Sequence, residues 1–218
     1  MPFRDRTEAG RSLANALAAY RHQDTIVLAM PRGGVPVGRE IALALQAPLD
    51  LIMVRKIGVP FQPELAMGAV AEGEEALVER NDSVIRAARI GPAEFDRVLK
   101  MEIRELERRR RTYRGDRPRA AIANKVAIVV DDGLATGASA RVALEAVRRS
   151  NPARLVLAVP VAAADPLQEI RSYADEVVCL EQHEPFHAIG AYYDDFRQVS
   201  DQHVMEVLAE TAAPQHRT

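Results

Sequence analysis

Five short apolar runs, separated by stretches of helical periodicity, limit what this chain can fold into. They are TIVLAM (25–30), LDLIMVR (49–55), KVAIVVD (125–131), RLVLAVPV (154–161) and EVVCL (176–180). Each is rich in β-branched residues and too short for a core helix. Near-continuous apolar character at this length marks strands covered on both faces, as in a parallel sheet. Between them lie helical patterns. Residues 34–46 carry Val37, Ile41 and Leu45 at i, i+4 spacing, and residues 137–149 carry Val142, Leu144 and Val147. Asp165-Pro166 caps and opens a helix over 165–173. Further helices are expected over about 6–20 and 200–211. Strand–helix alternation of this kind predicts an α/β doubly wound domain on a mainly parallel five-stranded sheet.

Two regions break the alternation. Residues 66–80 read as a β-hairpin flap turning at Glu72-Gly73-Glu74. Residues 92–113 read as a long charged helix with a stripe of Phe95, Leu99, Ile103 and Leu106. Both are expected as an insertion in one domain spanning 1–211, followed by a frayed tail at 212–218. The striped helix could also serve a homodimer interface.

Composition removes several classes. A formal net charge of -2 gives no overall basic field for nucleic acid or anionic lipid. The Arg108–Arg111 run reads as a solvated helix end, although it could meet RNA or a phosphorylated partner. No apolar run approaches the ~20 residues that cross a bilayer. The N-terminus shows no apolar leader. The single cysteine, Cys179, excludes an internal disulfide and reads as a buried thiol. The expected location is a reducing cytoplasm. His183 and His187 lack a third ligand at metal spacing.

The segment VAIVVDDGLATGAS (126–139) carries the most chemistry. An apolar strand runs into two acids, then a Gly-rich loop, then a helix. Gly133 and Gly137 allow a sharp turn and close approach to a ligand. The N–H groups of Leu134, Ala135, Thr136, Gly137, Ala138 and Ser139 can converge on an anion at the helix N-terminus. Asp131 and Asp132 suit neutral hydroxyls or a Mg²⁺ shell instead. A ligand with a phosphate at one end and a vicinal diol nearby satisfies both halves; ribose 5-phosphate is one.

A second loop, LAMPRGGVPVG (28–38), also joins a strand to a helix. Arg32 supplies a cation, and Gly33-Gly34 leave backbone N–H groups open to a phosphate. If strands 25–30 and 125–131 are neighbours, the strand order reverses between them. Both loops then open into the crevice where such sheets bind ligands.

The string VVDDGLATGAS closely resembles the phosphoribosyl pyrophosphate (PRPP) motif of type I phosphoribosyltransferases. The resemblance implies a type I fold and transfer of phosphoribose from PRPP to a small-molecule acceptor with Mg²⁺. It assigns Asp131 and Asp132 to the ribose hydroxyls and to the metal, mainly through substrate or water. It assigns residues 134–139 to the 5′-phosphate. Arg32, Gly33 and Gly34 match the family's diphosphate loop, where a strained cis peptide often occurs; Pro31–Arg32 or its neighbour is the candidate bond. Arg55-Lys56 resembles the basic pair of orotate-type members, with a mobile loop over 57–66 closing on the diphosphate. That loop holds Gln62 and Glu64 where the orotate type has further Lys and His.

The stretch HEPFHAIGAYYDDF (183–196) interleaves aromatics with acids. Its Phe186, Gly190 and Asp194 resemble the base-recognition stretch of hypoxanthine–guanine-type members, with a different Phe-to-Gly spacing. No Lys for a purine carbonyl is evident, and Ala135 replaces that subfamily's loop Asp. The acceptor stays open. Two rival readings stand beside the enzyme. One is a PRPP-sensing regulator without turnover. The other is a phosphate enzyme of another class, for which no GxxxxGK[ST] string is present.

Overall fold

The computed structural model describes residues 2–73 and 76–212. The expected turn at Glu72-Gly73-Glu74 therefore lies partly outside the described residues, as does the tail beyond Ala212. In chain order the strands are β1 (Thr25–Ala29), β2 (Leu49–Leu51), β3 (Val54–Val59), β4 (Gln62–Ala71), β5 (Leu77–Arg80), β6 (Val126–Val130), β7 (Arg154–Ala163) and β8 (Glu176–His183). The α-helices are α1 (Arg6–Ala16), α2 (Gly34–Leu45), α3 (Asp82–Ala87), α4 (Pro92–Arg114), α5 (Ala138–Arg148), α6 (Ala164–Ile170) and α7 (Asp201–Ala212).

Five strands form a parallel sheet in the order β2-β1-β6-β7-β8. β1 and β6 pair from Thr25↔Val126 to Ala29↔Val130, so the order reverses between them, the arrangement supposed from the sequence. Every residue of both strands is buried. α1 and α2 cover one face through Leu13, Val37 and Ile41. α5 and α6 cover the other through Val142, Leu144 and Leu167. Each fully buried Val, Leu or Ile contributes about 2 kcal/mol. The two central strands are thus firm anchors for the loops leaving their C-terminal ends.

The apolar run 49–55 is not one strand. β2 ends at Leu51, and β3 begins at Val54 in a separate antiparallel sheet ordered β3-β4-β5. Ile52 and Met53, both buried, bridge the two sheets, so hydrophobicity gives no sign of the break. The expected mobile loop over 57–66 is instead mostly the β3–β4 hairpin, with Gly58 opposite Ala66 and Val59 opposite Gln62. The flap expected at 66–80 is present as β4 and β5, with β3 as a third strand beside them.

α4 starts at Pro92 and ends at Gly115, where φ is +58°. Its stripe packs within the chain, with Phe95, Leu106 and Tyr113 buried beside Val204 and Leu208 of α7. The last turn is fixed by Arg114, 5% exposed, which donates to Asp50 (3.1 Å), to Glu72 and to the Leu51 carbonyl (3.1 Å). Among the described residues no helix is long and apolar enough to cross a membrane.

Candidate functional site

The loop after β6 is held by the sheet on one side and open on the other. Leu134 donates to Val161 O (2.9 Å) and its carbonyl accepts from Ala163 N–H (2.9 Å), extending the ladder onto β7. Beyond it, Ala135, Thr136 and Ser139 are exposed. The N–H groups of residues 135–139 donate to no protein acceptor among the described residues. Gly137 caps α5 at φ +73°, a left-handed conformation that favours glycine. Free N–H groups at a helix start form an anion cradle. The loop opens on a cleft of about 510 Å³ with Asn81, Arg141 and Tyr173 on its walls.

The acid pair sits at the head of this loop. Asp131 is partly buried and accepts the Asp132 N–H at Oδ1 (2.9 Å). Burial and then the neighbouring Asp132 charge push the Asp131 carboxyl well above its ordinary range. Asp132 is 8% exposed, and its Oδ2 accepts Arg6 Nε at 2.8 Å. Burial raises the Asp132 carboxyl too, opposed by Arg6.

The loop after β1 meets this pair directly. The Pro31–Arg32 peptide is cis. Met30 N–H donates to Val130 O (2.8 Å), tying the start of one loop to the end of the other strand. A Cβ on Gly33 would lie 2.0 Å from Asp132 Oδ2, and one on Gly34 would lie 2.5 Å from Val130 O. Only glycine permits that approach. Arg32, 29% exposed at its side chain, points Nη1 toward Asp201 Oδ1 at 3.5 Å.

Arg55 and Lys56 occupy β3, not the end of a parallel-sheet strand. Arg55 pairs with Glu102 of α4 (2.7 Å) and Lys56 with Glu64 (3.1 Å). Both cationic heads are therefore held by carboxylates of the surrounding hairpin and helix.

Residues 183–197 form a cap over the loop acids. Ile189 packs against Gly133, where a Cβ would meet its Cγ2 at 2.6 Å. Tyr193 Oη donates to the Asp132 carbonyl (2.7 Å), and Phe196 lies 3.8 Å beneath the Arg6 guanidinium. Phe186 stacks on Tyr192, which stacks in turn on His183, at centroid distances of 5.0 and 4.1 Å. Asp194 is exposed, and its N–H donates to Phe3 O (2.8 Å). The structure thus brings Asp131, Asp132, Gly133, Gly33 and Gly34 together. It places Phe186 in a ring stack and Asp194 on the N-terminal segment.

Sequence reasoning misses Arg6, Tyr193 and Asp201. Arg6 is 126 residues from Asp132. Nothing local to an Arg at a helix start signals a partner so distant. The hydroxyl of Tyr193 has a weak signal in the aromatic–acid stretch, where the rings draw attention first.

The paired carboxylates of Asp131 and Asp132 beside the Gly-rich crevice are oxygen donors of the kind that would hold a Mg²⁺ whose other ligands come from a bound molecule and water. Among the described residues no group of three or more His, Cys, Asp or Glu forms a cage for a metal of its own.

Fold and crevice define a doubly wound α/β protein whose two Gly-rich loops meet beside an acid pair at the reversal of strand order. Comparison with known proteins agrees: the phosphoribosyl transferase domain family matches residues 6–197, and the chain belongs to that family. It is 45% identical over 206 residues to proteins of two Mycobacterium tuberculosis strains named "Putative phosphoribosyl transferase". That alignment covers 94% of this chain and 46% of the relatives, so the chain spans about half their length. A crystal structure of the Thermus thermophilus protein TT1426 is similar at 41% identity and a TM-score of 0.82, over 98% of this chain and 100% of that one.

Proposed function

We propose that the protein transfers phosphoribose from PRPP, as its magnesium complex, to a nucleobase-like or other nitrogen acceptor and releases diphosphate. The observation that carries this reading is the contact of Gly33 with Asp132, which supports a diphosphate loop and a diol-holding pair serving one ligand.

In the proposed reaction the bond from ribose C1 to the diphosphate oxygen breaks, one from C1 to the acceptor nitrogen forms, and the proton lost by that nitrogen leaves with the diphosphate or to water. The sugar passes through an oxocarbenium-like state, as in other glycosyl transfers. Charge builds on the leaving diphosphate, and Arg32 with the Gly33 N–H faces it; the Gly34 N–H, expected from the sequence to be open, instead donates to Met30 O at 3.0 Å. Mg²⁺, when bound, supplies further neutralisation of that charge. Asp131 and Asp132 hold the ribose hydroxyls, and residues 135–139 hold the 5′-phosphate; Leu134, expected in that cradle from the sequence, has its N–H taken by Val161 O. The acceptor enters beneath the 183–197 cap, near Phe186 and Asp194. The β3–β4 hairpin, carrying Arg55 and Lys56, closes over the diphosphate and excludes water. The site of action is the cytoplasm.

Calorimetric titration of PRPP with Mg²⁺ against wild type and Asp131→Asn/Asp132→Asn tests the assignment. The double variant is expected to lose most of its affinity. Equal affinity in the two proteins would defeat it.

One observation favours a second reading, a PRPP sensor without turnover. Residues 57–66 contain no Lys, Arg or His, and the neighbouring Lys56 is engaged by Glu64. Diphosphate release from labelled PRPP with a panel of bases supports the enzyme; tight binding with no release supports the sensor.

A further inference from the structure

Arg32 does not stand alone in its corner. Its Nη1 lies 3.5 Å from Asp201 Oδ1, and the same oxygen accepts the Tyr113 hydroxyl at 2.6 Å. Asp201 is the first residue of α7, and Tyr113 lies in the last turn of α4. Three distant segments therefore meet at one carboxylate oxygen. We propose that Asp201, held by Tyr113, is a positioning residue that orients the Arg32 guanidinium toward the diphosphate end of the ligand. This rests on the PRPP reading above.

The chemistry suits the role. A guanidinium offers N–H donors in a fixed fork, so one edge can be held by a carboxylate while another faces a phosphate. Arg32 is the cation of a loop whose next two residues are glycines, with no bulk of their own to steer it. Tyr113 is 2% exposed, and its ring is locked in the core of α4 and α7. Its hydroxyl fixes Asp201 in turn. The Tyr113 bond, then Arg32, Arg109 and Arg108, holds the Asp201 carboxyl below the usual range. Asp201 is therefore an anion at neutral pH. The long 3.5 Å bond from Nη1 holds one edge of Arg32 and leaves the remaining guanidinium donors for the ligand.

The test compares wild type with Asp201→Asn, Asp201→Glu, Tyr113→Phe and Arg32→Ala. Affinities are measured by calorimetry for magnesium diphosphate, PRPP and ribose 5-phosphate. Asp201→Asn is expected to weaken diphosphate and PRPP about tenfold, the size of one charge-assisted hydrogen bond. Ribose 5-phosphate, which does not reach Arg32, should bind unchanged. Asp201→Glu should restore part of the loss, and Tyr113→Phe should show a smaller loss of the same kind. A diphosphate affinity untouched in Asp201→Asn but reduced in Arg32→Ala overturns the positioning role. An equal loss for all three ligands in Asp201→Asn also overturns it, because it marks a merely structural residue. If Arg32→Ala itself leaves diphosphate binding intact, the diphosphate-loop reading fails, and this inference with it.

Discussion

Gly33 and Asp132 share a space that no side chain could enter: any Cβ at residue 33 would stand 2.0 Å from the Asp132 Oδ2 atom. Asp132 cannot retreat, because Arg6 holds the same oxygen at 2.8 Å and Tyr193 holds its carbonyl at 2.7 Å. The loops after β1 and β6 are therefore set against each other by one hydrogen-sized residue.

Gly33→Ala is expected to cost about 1–3 kcal/mol, the range for forcing a methyl group into filled space. It should also displace Asp132 and weaken PRPP binding. Thermal melts against wild type check this; an unchanged melting temperature would show that the corner yields freely.

Asp131→Asn is expected to stabilise the fold while weakening PRPP binding. Burial, then the charge of Asp132, raises the Asp131 carboxyl. Between the ordinary carboxylate range and the raised one, the folded state thus binds more protons than the unfolded chain. Stability falls as pH rises from the ordinary carboxylate range through the raised one. The amide escapes this penalty. The variant should melt a few degrees above wild type at neutral pH. The two should converge below about pH 4, where both folded and unfolded wild-type chains hold the proton. Melting curves across pH provide the measurement.

Arg6→Ala removes the cation from a pair whose two side chains are each 11% exposed. Breaking such a pair costs about 3–5 kcal/mol, because a buried charge loses its partner. Without Arg6 the Asp132 carboxyl rises further. The deficit should therefore be largest near neutral pH and shrink on acidification. Urea unfolding at two pH values reads it directly.

Arg114→Met leaves Asp50 and Glu72 as buried carboxylates without their shared cation. The expected loss is again about 3–5 kcal/mol. The urea midpoint should fall with an unchanged slope. A change below about 1 kcal/mol would mean that water reaches the pair.

Much of this arrangement is legible in the sequence because it follows short-range rules. Continuous apolar runs mark β1, β6 and β7, and the acids and glycines after β6 mark the crevice. The side-by-side placement of strands 25–30 and 125–131, supposed with right-handed crossovers, holds in the register of Thr25 with Val126. What stays hidden depends on long-range geometry. Leu51 and Val54 belong to different sheets, yet buried Ile52 and Met53 make their run uniformly apolar. Arg55 and Lys56 carry the right charge, but Glu102 and Glu64 turn out to be their partners. Arg6 and Asp201 gain meaning only when the chain closes, with Phe3 lying beside Tyr193.

Leu134 sits in the sheet ladder by bonds to Val161 and Ala163. Ordering one residue of backbone costs roughly 1–2 kcal/mol. At Leu134 that cost falls on folding, before any ligand arrives. A ligand reaching the turn meets a start point already in register with β7. More of its contact energy then appears as affinity, and the turn reads the shape of its guest instead of adapting to it.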